Sequence, residues 1–205
     1  MSATELNSVE KAMVQVLLAQ GIIEEMKLQA IMASVAEELI PGNRININDT
    51  KEMFKRINNN LRPLALEVRS VVQKNLDSDG FTFYHGIANI DEDKVAVDFG
   101  CKYSVAEVQY ISSVFEHILA KGVASSSELY DLRPSKWVIT DANDIILSLE
   151  EEKYLSRNDH GYFQIGIRSQ LELRLFLEDI LNKVNVDEED AVRTAISKFP
   201  QIIQY

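Results

Sequence analysis

Apolar side chains recur at helical spacing in three early stretches of the chain. Leu6, Val9, Met13, Val16 and Leu17 fall on one stripe, with Gly21 as its stop. Leu28, Ile31, Met32, Val35 and Leu39 repeat the pattern over residues 24–39, which Pro41 and Gly42 end. Phe54, Ile57, Leu61 and Leu64 mark a third helix; Asn48 or Asp49 is placed to cap it, and Pro63 to end or kink it. The period then changes. Residues 66–72 are β-prone, residues 77–80 read as a turn, and residues 81–89 as a strand rich in aromatic and β-branched side chains. An acidic turn at residues 91–93 separates this strand from another over residues 95–99.

The same order follows downstream. Ser104, three residues before Glu107, opens a helix over residues 105–121 with a capping box, and Gly122 closes it. A short helix starts at residues 125–127 and ends at Pro134. Thr140 or Asp141 is placed to cap another helix, which carries Ile145, Ile146 and Leu149. A small hairpin turns at residues 158–161. A long helix over residues 168–184 and an amphipathic segment over residues 188–203 complete the pattern. Three helices and a hairpin, twice over, are the skeleton of tandem winged helices. The predicted fold class is therefore α+β, with domains at 1–103 and 104–167 and C-terminal helices at 168–205.

Winged helices bind DNA or proteins, and charge helps to separate the two. The chain has 205 residues and a net charge of −11; residues 1–103 contribute −4 and residues 104–205 contribute −7. Neutralising phosphates takes a basic footprint, which neither half has. In the second unit the third helix bears Asp141, Asp144 and three glutamates at 150–152, which repel phosphates. In the first unit Lys51, Lys55, Arg56 and Arg62 suit non-specific phosphate contacts, and the amides of residues 58–60 lie along the same helix. A mixed, solvated helix face is the competing and favoured reading. In the first hairpin, alternation puts Phe81, Phe83 and His85 on one face and Thr82, Tyr84 and Gly86 on the other. Phe83 and Tyr84 are the candidate anchors for a protein partner; a core tyrosine with a satisfied hydroxyl is the alternative for Tyr84.

Candidate chemistry is sparse. A structural zinc site wants four Cys/His ligands, commonly in close pairs. Cys101, His85, His117 and His160 are widely separated, and the reading is no metal, no cofactor and no catalytic residue. Lone Cys101 suits a small buried filler in a reducing compartment. No nucleophile elbow or phosphate-binding glycine loop is present, and no apolar run is long enough for a membrane span.

The run FKRINNNLRPLALEVR (54–69), the hairpin GFTFYHGIANIDED (80–93), and the stretches LLAQGIIEE (17–25) and GVASSSELYDL (122–132) together resemble the non-SMC element one family. The resemblance extends weakly into IGIRSQLELRLFL (165–177). It implies a subunit of the SMC five-six complex, acting in DNA repair, recombination and chromosome maintenance in the nucleus. The implied partners are a MAGE-type subunit (non-SMC element three) and the kleisin subunit (non-SMC element four); the acidic charge balance adds the expectation of weak or no direct DNA binding. Family members end in a zinc-binding RING and are described as ubiquitin ligases. With one cysteine, residues 1–205 cannot hold that RING. The expectation is a chain cut at the domain boundary, favoured over a natural form lacking the RING, and acting as a non-catalytic scaffold; a winged-helix DNA binder using Lys51 to Arg62 is the alternative.

Overall fold

The computed structural model describes residues 5–41, 50–74, 80–90, 102–183 and 202–204. They form a mixed α and β architecture in two compact units, one built from residues 5–90 with 202–204 and the other from residues 102–183. The expected caps Asn48 and Asp49, the turn at 77–79, the strand at 95–99, Cys101 and most of the segment at 188–203 lie outside the described residues.

In the first unit, α1 (Ser8–Gln20) starts at a capping box. The Asn7 side chain accepts from the Glu10 N–H, and Glu10 accepts from the Asn7 N–H, both at 2.9 Å. Gly21 ends α1 at φ 67°, a left-handed angle that costs a glycine little. Then come β1 (Ile22–Glu24), α2 (Glu25–Leu39), α3 (Thr50–Leu61) and a single 3-10 turn, Arg62–Leu64, holding Pro63. β2 (Leu66–Lys74) and β3 (Phe81–Asn89) pair antiparallel along nine residues each, with Val68 opposite Ile87 and Ser70 opposite His85. Two pairings escaped the hydrophobic pattern. β1 adds to the far side of β3, and β6 (Ile202–Gln204), where a helical segment was expected, adds to β2. The strand order is β1-β3-β2-β6. Met13, Leu17, Leu28, Met32, Phe54, Ile57 and Val68 fill the core between the helices and one sheet face.

The second unit repeats the order. α4 (Val105–Lys121) begins at the Ser104–Glu107 capping box and α5 (Ser126–Asp131) at a matching Ser125–Glu128 box. α6 (Ile139–Glu151) starts earlier than the expected caps allow. Val138 takes the N-cap position, and Asp141 lies inside the first turn. β4 (Leu155–Arg157) and β5 (Phe163–Ile165) form the hairpin, and Ala124 bridges antiparallel to Phe163. Each unit thus runs helix, short extended piece, two helices, two strands, and the last strand turns back to pair with the short piece.

The expected long C-terminal helix is two helices, α7 (Ile167–Glu172) and α8 (Arg174–Lys183). Leu171 and Leu173 are both buried, yet two positions apart they would point about 200° apart on an unbroken helix. The break at Leu173 lets both be buried, and Leu173 joins Leu177 and Ile180 in the core that α4 and α6 share.

Two positions should be sensitive. A Cβ at Gly166 would lie 2.2 Å from the Lys153 carbonyl oxygen, so Gly166→Ala is expected to cost about 2–3 kcal/mol in urea unfolding. His85 is buried beside Ser70, its Nδ1 2.6 Å from the hydroxyl, and rests 5.1 Å from the Phe54 ring. Burial pushes its pKa down from 6.5 to about 4. The unfolded chain therefore binds the extra proton first, and this stability is present above about pH 6.5 and lost as pH falls towards 4. At about pH 5 the loss should be about 2 kcal/mol relative to neutral pH, and His85→Gln should remove that part of the slope.

Candidate functional site

The basic groups of α3 stand on the surface because its buried stripe, Met53, Phe54, Ile57 and Leu61, fixes the rotation of the helix. Most are already engaged. Lys55 Nζ lies 2.7 Å from Glu52 Oε1 within the same helix. Arg56 Nε lies 2.5 Å from Glu10 Oε1, a carboxylate whose side chain is 4% exposed and which also caps α1. Arg62 Nη2 lies 3.8 Å from Glu67 Oε2, and Glu67 is paired at 2.7 Å with buried Arg69. Lys51 is exposed and makes no ion pair among the described residues. A phosphate would have to compete with carboxylates for three of the four cations.

The neighbouring amides play another part. Asn58 is buried; its Nδ2 donates to the Val68 carbonyl at 3.1 Å and its Oδ1 accepts from the Val68 N–H at 2.7 Å. Asn60 donates to the Arg56 carbonyl of its own helix. Asn58 is a structural clamp, and a polar residue on the apolar stripe next to Ile57 was the signal for it.

Phe83 and Tyr84 are both half-buried, and the register separates them. Phe83 faces Val72 on the His85 side of the sheet, and Tyr84 faces Val71 and Glu24 on the other. They cannot form one anchor. Partial burial, and then the Glu24 carboxylate, raise the Tyr84 pKa. Phe81, on the Phe83 face, is 61% exposed and is the more available ring.

Among the described residues no three His, Cys, Asp or Glu side chains come close enough to hold a metal, and no helix is long and apolar enough to cross a membrane. The close Ser70–His85 pair resembles half of a nucleophilic site, but both residues are sealed from solvent. Sequence reasoning also missed a set of large apolar side chains left in solvent: Leu18, Met26 and Leu64 in the first unit, Val105, Val138 and Ile139 in the second.

The ion-pair geometry makes a specific prediction. Removing Arg56 leaves a buried carboxylate without its cation, so Arg56→Met should cost about 1–2 kcal/mol in thermal unfolding. Lys51→Met should stay within about 0.5 kcal/mol of the parent chain.

Comparison with curated protein sequences gives no match. Among solved structures, a chain described as "Nse1-Nse3-Nse4 complex" superimposes with a TM-score of 0.70 at 18% identity, over 88% of this chain and 78% of that one. This is a likeness of fold. Residues 10–135, more than half of the chain, match the family model described as the Nse1 non-SMC component of the SMC5-6 complex, and the chain belongs to that family.

Proposed function

We propose that the chain is an assembly subunit built on two winged helices, which docks with Nse3-type and Nse4-type proteins inside the SMC5-6 complex. The observation that carries this reading is the family match over residues 10–135. The repeated element order supports it: in each unit the last hairpin strand returns to pair with the short piece after the first helix, at β1 and at Ala124. The structural neighbour, from an Nse1-Nse3-Nse4 complex, suggests the partners. By the resemblance these are the MAGE-type and kleisin subunits, and the setting is DNA repair on nuclear chromosomes.

Docking on proteins fits the electrostatics better than reading DNA. The net charge is −11, and the cations of the one basic helix are largely held by carboxylates. Ubiquitin transfer would need the ligands of a RING zinc, which one cysteine cannot supply, so residues 1–205 serve assembly and not transfer.

Size-exclusion chromatography with light scattering tests the reading. The chain mixed with a purified Nse3–Nse4 pair should elute as one complex containing one copy of each. Separate peaks would overturn the proposed docking.

A further inference from the structure

Helix α6 begins without a cap. Val138 sits at its N-cap position, with φ −82° and ψ 165°, and a valine side chain has nothing to accept a hydrogen bond. Serine, threonine, asparagine or aspartate there would stabilise the helix by accepting from its free N–H groups. Only the reciprocal half of a capping box exists, Asp141 accepting from the Val138 N–H at 3.0 Å. Both preceding helices of the unit start at a serine with a full box. The uncapped start also leaves Val138 61% and Ile139 54% exposed. At the start of α4, Val105 is 77% exposed. Local stability is given up and apolar surface is displayed, a conflict that marks functional positions.

Between these two helix starts lies a cleft of about 550 Å³. Tyr103 and Trp137 line it with the carboxylates Glu107, Asp141 and Asp144. Trp137 is held by an edge contact with Tyr110 at 5.5 Å, and the Tyr103 hydroxyl lies 3.2 Å from Ser148 Oγ. Each ring of the aromatic wall is therefore held by a neighbouring side chain. Glu107 and Asp141 each serve a helix start, Glu107 accepting from the Ser104 N–H at 2.6 Å. Each helix N-terminus offsets roughly half a charge, so three carboxylates leave a balance of about −2. No lysine or arginine lines the cleft. Lys102, which donates to lining Ser148, is also paired with Glu152. Asp144 is exposed and has no ion pair among the described residues. These acids form no metal-holding group of three among the described residues.

We propose that this cleft is a docking site for a partner-protein segment that carries arginine or lysine between apolar residues. Its cation sits by Asp144 and Trp137, where a ring and a carboxylate both attract it. Its apolar neighbours cover Val105, Val138 and Ile139. Phosphates are repelled, which excludes nucleic acid as the occupant.

The proposal rests on the reading of the chain as an assembly subunit, and the test separates the two. Calorimetric titration of the purified Nse3–Nse4 pair would be run with the parent chain, Asp144→Lys and Val138→Ser, alongside thermal melts and light scattering. Asp144→Lys should weaken binding by about tenfold or more at low salt, with the difference shrinking as salt rises. Val138→Ser should melt at or above the parent temperature, because it gains a cap, and yet bind about threefold or more weakly. If the parent binds and both variants bind within about twofold of it, the cleft proposal fails and the assembly reading stands. If the parent does not bind, both fail. A dimer of the chain that Asp144→Lys dissociates would make a second copy the occupant and overturn the proposal.

Discussion

The Asn58 amide gives the backbone of Val68 both a donor and an acceptor, as a neighbouring strand would, and it does so from a helix. A buried amide that lost either bond would be left unsatisfied, at a cost of about 1–3 kcal/mol per group, so α3 cannot slide or rotate against β2 without penalty. Once Val68 is fixed the sheet follows. Val68 faces Ile87, which sets Ser70 against His85 and places Phe83 and Tyr84 on opposite faces. The same rotation of α3 directs Arg56 to Glu10, whose other oxygen closes the capping box of α1. One polar contact in an apolar stripe thereby ties the start of the first helix, the third helix and the hairpin into one unit.

How much of this could be read from the chain depended on whether a feature was local. The helix starts at Ser104 and the stops at Gly21 and Gly122 are legible because cap and stop act within one turn. The long strands over Leu66–Lys74 and Phe81–Asn89 are legible from residue type. β1 and β6, three residues each, are not: so short a stretch shows no alternation, and a strand is made by a distant partner. Leu173 escaped for a different reason. Its break in the helix serves the burial of Leu171 and Leu173 together, a demand of the core that a helical pattern averages away.

The candidate site was less legible than the fold. Residue type singled out Lys55, Arg56 and Arg62 as cations, but their carboxylates are at Glu52, Glu10 and Glu67, and two of those three are distant in sequence or lie beyond the end of the helix. Alternation did place Phe83 and Tyr84 on opposite faces, which already weakened them as a joint anchor. Val138 carried a local signal that went unused, an apolar residue just where the chain needed a cap.

Two units with the same order of elements present opposite chemistry on corresponding helices. In the first, α3 carries cations that are largely answered by carboxylates, so its surface is close to electrically closed. In the second, α6 carries Asp141 and Asp144 beside uncovered Val138 and Ile139. An order of helices and strands cannot cause that difference, because both units share it; the side chains set on it do. The distinction bears on energetics as well as recognition. Exposed ion pairs add about 0–1 kcal/mol each and are weakened by salt, so the pairing on α3 serves mainly to orient the helix and quiet its charge. An unanswered carboxylate beside exposed apolar side chains retains its attraction until a partner arrives. The second unit therefore keeps its binding capacity where local stability was left incomplete.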